Sequence, residues 1–154
     1  MQRSFGGIFS STRQAIKAAA VVEGRTLYIY PEQYEGQESD PLIFCTGPVP
    51  AQQVDPLIPW LMQRTGAKRF ALPSADYIWP RTSNKIARKH IEKVLKGTVV
   101  GEEYYPLGHT QFGSLINKIK LFYVDVLVVG DAVAGDPAFK VSINAAVGQK
   151  PEFN

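Results

Sequence analysis

Short apolar runs of β-forming residues alternate with amphipathic stretches along nearly all of this 154-residue chain, and no other feature restricts its fold as strongly. The strand-like runs are residues 26–30, 42–45, 68–72, 98–104 and 124–129, the first closed by Pro31. Between them the spacing predicts helices over 13–22, 52–64, 81–96 and 111–121. Ser10, Ser11 or Thr12 is placed to cap the first helix, and Gly24 to end it in a left-handed turn. The second helix carries Leu57, Ile58, Leu61 and Met62 on one face. Pro56 and Pro59 predict irregular early turns in it, and Gly66 an end. The third is the most legible. Ile86, Ala87, His90, Ile91, Val94 and Leu95 form one stripe, with Lys85, Arg88, Lys89, Glu92, Lys93 and Lys96 opposite, and Gly97 stops it. Such an order predicts an α/β fold, Rossmann-like, with a mostly parallel sheet flanked by helices and ligand loops at the carboxyl ends of the strands.

Composition narrows the chemistry. Seventeen Lys and Arg against 14 Asp and Glu leave a formal charge of +3, too small to make nucleic acid a direct partner. The one strongly basic surface, the helix over 81–96, reads as an ordinary solvated face. No apolar run approaches the roughly 20 residues of a membrane helix, and the first residues lack the apolar core of a secretory signal. Cys45 is the single cysteine, which excludes an internal disulfide. With only two histidines there is no metal cluster to read either.

Catalytic patterns are absent from the sequence. No nucleophile elbow surrounds Ser10 or Ser11, and Cys45 ends an apolar strand with no basic partner in evidence. His90 sits in the helical stripe and His109 in a turn with Gly108. Glu102 and Glu103, adjacent in a strand, point to opposite faces and cannot flank one bond. Gly6-Gly7 lacks both phosphate-loop patterns. No catalytic residue, cofactor or metal is expected. Binding is the better expectation, because three loops after strands are aromatic or glycine-containing: Tyr30 to Gly36, Asp76 to Arg81, and Val129-Gly130-Asp131. Tyr and Trp offer a flat apolar wall with one polar tip, which suits a small planar amide or urea.

Several strings in order carry a specific resemblance. They are Phe5-Gly6-Gly7 with Ser10-Ser11-Thr12-Arg13, then Tyr30-Pro31-Glu32-Gln33-Tyr34-Glu35-Gly36, Pro50-Ala51-Gln52-Gln53, and Asp76-Tyr77-Ile78-Trp79-Pro80-Arg81-Thr82-Ser83-Asn84. Gly101-Glu102-Glu103-Tyr104-Tyr105-Pro106-Leu107-Gly108-His109-Thr110 and Val128-Val129-Gly130-Asp131 complete the set. Together, over about residues 5–139, they resemble the urea and short-chain amide binding branch of the type I periplasmic binding protein superfamily. That branch holds the solute-binding subunits of urea transporters and a cytoplasmic amide sensor that represses an amidase operon. The resemblance implies two Rossmann-like lobes that enclose a ligand without transforming it. It places Ser10, Tyr30 and Gln33 at ligand positions of the first lobe and Tyr77, Trp79, Val129 and Gly130 at those of the second. Trp79 stands where the amide sensor has tyrosine, and Gln33-Tyr34-Glu35-Gly36 is nearer the urea-transport type.

Members of that family are much longer, so the resemblance makes residues 1–46 the end of a first-lobe segment and 47–154 the core of a second lobe. It implies a small-molecule ligand and, as partner, an ABC permease; for a sensor, the partner is a regulatory protein. Transport places the protein in the periplasm and sensing in the cytoplasm. Unfinished lobes with open sheet edges make a homodimer a further expectation. Two other classes stand beside this reading: an α/β interaction domain without ligand, and an amidase using Cys45.

Overall fold

The computed structural model describes residues 3–128. The chain divides into two compact units, Met1–Leu57 and Ile58–Asn154.

The first unit holds β1 (Arg3–Phe5), α1 (Ser10–Ile16), which runs on as a π-helical stretch over Lys17–Glu23, β2 (Leu27–Tyr30) and β3 (Ile43–Cys45). Its sheet is parallel in the order β1-β2-β3, with Tyr28 opposite Ile43 and Tyr30 opposite Cys45. Period-two alternation turns Tyr28 and Tyr30 to one face, where both are fully buried around Val21 with Ile16, Leu42 and Ile43 packed against them. Each such side chain contributes roughly 1.5–3 kcal/mol by leaving water. No helix or strand forms over residues 31–42, as their Gly, Pro, Ser and Asp content predicts.

Two expectations for α1 are corrected. No side chain caps it, and Phe9 occupies the cap position, because the Ser10 hydroxyl is drawn away to Glu35. Nor does Gly24 adopt a left-handed turn. Its φ is −84°, and Arg25 takes the positive φ of 46°. Gly24 is needed for space instead, since a Cβ there would stand 2.9 Å from the carbonyl oxygen of Ala20.

α2 (Pro50–Thr65) begins in the first unit and ends in the second. It is one continuous helix despite Pro56 and Pro59, and Gly66, at φ +70°, ends it as expected.

The second unit continues with β4 (Arg69–Ala75), α3 (Ile78–Lys89) running into a π-helical stretch over His90–Val94, β5 (Thr98–Tyr105), α4 (Gly113–Leu121) and β6 (Val126–Leu127). This sheet is also parallel, in the order β5-β4-β6. β4 extends three residues past the expected end at Leu72. Pro73 lies inside it, in register with Glu103 of β5. The helix over 81–96 therefore starts earlier, at Ile78. Its late half widens: Leu95 N–H donates to His90 and Gly97 N–H to Ile91. That change of pitch rotates the expected stripe, so Ala87 and Ile91 are buried while Val94 is 61% exposed. α3 is fastened to β4 by buried Asn84, whose amide donates to the Leu72 carbonyl and accepts from the Ser74 hydroxyl, each at 3.1 Å. Phe70, Leu72, Ala75, Trp79, Phe112, Leu115 and Val124 complete this unit's buried core.

Candidate functional site

In open α/β sheets ligands sit beyond the carboxyl ends of the strands. Both units place polar and aromatic loops there.

In the first unit the turn after β1 is held from below. The Tyr28 hydroxyl donates to the Gly6 carbonyl at 2.9 Å, and the Tyr30 hydroxyl to that of Ile8 at 2.6 Å. Behind this turn lies a buried polar cluster. Ser10 donates to Glu35 Oε1, and Arg13 Nη2 to Glu35 Oε2 at 2.6 Å. Lys17 pairs with Glu38 at 2.6 Å. Burial alone would raise the Glu35 pKa, but the bonds from Ser10 and Arg13 outweigh it and hold the carboxyl below its ordinary value. Burial pushes the Cys45 thiol up, against the opposing pull of Arg13. Cys45 is half-buried and stays protonated at neutral pH.

Beside the cluster is an open groove of about 630 Å³, lined by Tyr34, Cys45, Thr46, Gly47, Val49 and Gln52 among others. Its walls are the segments after β2 and β3, which are pressed together at Gly47. The Tyr34 N–H donates to Pro48 at 3.2 Å, the Thr46 N–H to Tyr30 at 3.0 Å, and the Gln53 amide to that of Gln33 at 3.1 Å. No lining residue carries a charge.

In the second unit Tyr77 occupies the cap position of α3, half-buried, and packs with Tyr105 against Ala75, Phe112 and Leu115. His109 stacks on Tyr105 with ring centroids 4.8 Å apart, and both rings meet Phe112 edge-on at 5.2 and 5.3 Å. Arg81 pairs with Asp76 at 2.6 Å and lies 4.1 Å over the Tyr104 ring. Burial, then the bond to Glu102, raises the Tyr104 pKa to about 12, and burial with Glu103 raises Tyr105 likewise. As strand alternation requires, Glu102 turns to Arg88 on α3 and Glu103 to Lys118 on α4.

The residues expected to contact a ligand thus fall into four groups. Gln33 and Tyr77 are half-buried and stand in the two loop clusters. Ser10 and Tyr30 are brought together, but at 2% and 0% exposure, with both hydroxyl protons used internally. Both side chains support the loops from within. Trp79, expected on a loop, is in the first turn of α3 and 5% exposed, because β4 runs on to Ala75 and shortens the loop. Val129 and Gly130 lie outside the described residues. The sequence pattern does not mark Arg13, Glu35 or Tyr105 as site residues. A pair 22 residues apart leaves no periodic trace, whereas the aromatic content around Tyr105 was a usable signal.

Among the described residues no helix is long and apolar enough to cross a membrane, and no group of three metal-ligating side chains forms.

A family model described as periplasmic binding protein domain matches residues 1–145. Solved structures share the fold. A solute-binding protein of an ABC transporter from R. palustris, in complex with benzoate, superposes with TM-score 0.76 at 19% identity over 97% of this chain and 42% of that one. An amino acid ABC transporter substrate-binding protein from Pseudomonas fluorescens gives 0.73 at 16%, over 97% and 40%. The branched-chain amino acid binding protein LivJ from Streptococcus pneumoniae, in complex with isoleucine, gives 0.71 at 20%, over 97% and 42%. This chain spans about two fifths of the length of each.

Proposed function

Starting from the fact that the chain belongs to the periplasmic binding protein domain family, we propose that it works as a solute-binding protein of the ABC-transporter type. In this reading it binds urea or a short-chain aliphatic amide without catalysis. Two of the similar structures hold benzoate and isoleucine, each of which carries a carboxylate. A carboxylate accepts hydrogen bonds and carries charge, so its site calls for cationic or multiple N–H donors. The observation that favours an uncharged ligand here is the composition of the first-unit groove. It offers one aromatic face from Tyr34, a hydroxyl from Thr46 and an amide from Gln52, with no charged side chain on its lining. A planar amide uses such a set fully, stacking on the ring while its C=O and N–H groups find one partner each.

Tyr34, Thr46 and Gln52 are the groove contacts of this proposal; Gln33 is proposed as a further ligand position on the first unit and Tyr77 as one on the second. Ser10 and Tyr30 hold the first-unit loops, and Val129 and Gly130 are proposed as further ligand positions. Residues 1–46 are assigned to a first lobe and 47–154 to a second, the ligated form being presented to a permease at the periplasmic face. Thermal melts with millimolar urea, acetamide and butyramide, against isoleucine and benzoate, test the reading. An upward shift with urea or an amide is expected, worth about 2.7 kcal/mol at a hundredfold excess over Kd. A shift with isoleucine or benzoate alone, or none with any solute, overturns it.

A further inference from the structure

Arg13 is buried with most of its hydrogen-bonding capacity unused. Its side chain is 7% exposed and makes one hydrogen bond, to Glu35. Nε stands 3.8 Å from Glu38 Oε2, an ion-pair distance too long for a hydrogen bond, and neither Nε nor Nη1 has a hydrogen-bond partner. A guanidinium so placed is held by the Glu35 carboxylate, by the more distant charge of Glu38, and by two ring faces, those of Tyr30 and Tyr34, whose centroids lie 5.2 and 5.9 Å from its central carbon.

Two of these contacts lead to the groove. Tyr34 lines it, and Glu35 is the next residue in the chain. Residues 31–42 contain no helix or strand, so no ladder of backbone bonds fixes Tyr34. One 3.2 Å bond from its N–H to Pro48 joins it to the facing segment. We propose that Arg13 is the positioning residue of the first-unit groove: from α1 it sets, through Glu35 and the Tyr34 ring, the wall that a solute meets. That the groove takes a solute rests on the preceding reading; that Arg13 shapes it does not.

Cys45, the chain's only thiol, lines the same groove and reports on it without any ligand. The measurement is the labelling rate of Cys45 by the uncharged reagent 4,4′-dithiodipyridine at pH 8, with far-UV circular dichroism as the check on folding. Arg13→Gln is expected to label about tenfold faster than the parent with an unchanged spectrum, because the wall over the thiol loosens. The direction is diagnostic. Arg13 lowers the Cys45 pKa, so loss of its charge alone would slow the reaction. Arg13→Lys, which keeps the charge without the planar fork, is expected to restore part of the protection.

An equal or slower rate in Arg13→Gln overturns the proposal. Should that variant not fold, Tyr34→Leu leaves the ion pair in place and carries the test. It labels faster than the parent, and adding Arg13→Lys to it changes nothing further; failure of either expectation refutes a role exerted through Tyr34. Faster labelling in the variants with no solute response in the parent would refute the binding reading alone.

Discussion

Replacing Gly47 by alanine tests whether the two loop segments of the first unit meet so closely only because a side chain is missing. A Cβ at this position would lie 2.2 Å from the carbonyl oxygen of Glu32, 2.3 Å from its carbon and 2.6 Å from the nitrogen of Gln33. All three are backbone atoms and have no rotamer to yield, and comfortable contact begins at about 3.5 Å. The segment at Gly47 must therefore retreat by more than about 1 Å, which is overpacking of the kind that costs about 1–3 kcal/mol. It also breaks the bonds from Tyr34 N–H to Pro48 and from Thr46 N–H to Tyr30, each worth about 1 kcal/mol net. Together these come to about 3–5 kcal/mol, or a fall in Tm of roughly 6–20 °C for a chain of this size.

Gly66→Ala is the control, for Gly66 has the positive φ of +70° but open space around it. Its cost is conformational alone, about 1–2 kcal/mol. Circular dichroism melts of both variants and the parent decide the matter. A Tm for Gly47→Ala within about 2 °C of the parent, or no lower than that of Gly66→Ala, would refute the argument from close approach.

Glu35→Gln bears on the buried cluster through pH. Because the folded pKa of Glu35 is depressed, its contribution is present above the unfolded carboxylate value of about 4.3 and is lost as pH falls through the folded one. Urea midpoints measured between about pH 7 and pH 3 should therefore fall less steeply in Glu35→Gln than in the parent; a residual slope remains, since Glu103 is also depressed. Parallel profiles would contradict the pairing. Trp79→Ala, at a core position, should cost about 3–5 kcal/mol of stability, whereas Tyr77→Ala, half-buried at a helix cap, should weaken solute response by a few kcal/mol with a much smaller loss of stability. Chemical denaturation and titration of both variants separate the two roles, and equal destabilisation would refute the distinction.

The sequence was most legible where one period held over its whole element. β2 and β3 came out within a residue of their ends, and alternation on β5 correctly sent Glu102 and Glu103 to opposite partners. It misled where a local signal had a competing use. Ser10 has the chemistry of a cap, but a carboxylate 25 residues away takes its proton. Pro73 reads as a strand end, yet β4 passes through it and stays in register with Glu103 of β5. That one displacement moved Trp79 from a loop into the core. Arg13 was legible only as a letter in a motif, since neither its burial nor its partner Glu35 follows from spacing.

The two π-helical stretches, over Lys17–Glu23 and His90–Val94, have a consequence for how the chain tolerates changes of length. A π turn closes i to i+5 where an α turn closes i to i+4, so each stretch stores a spare residue. Removing one residue from either lets the backbone relax to the commoner helix, while β2 or β5 keeps its alignment with its neighbours. The same deletion inside β4 would turn Phe70 and Leu72, both fully buried, to the opposite face of their strand. Natural or engineered single-residue deletions should therefore be borne at the late halves of these two helices and rejected inside β4.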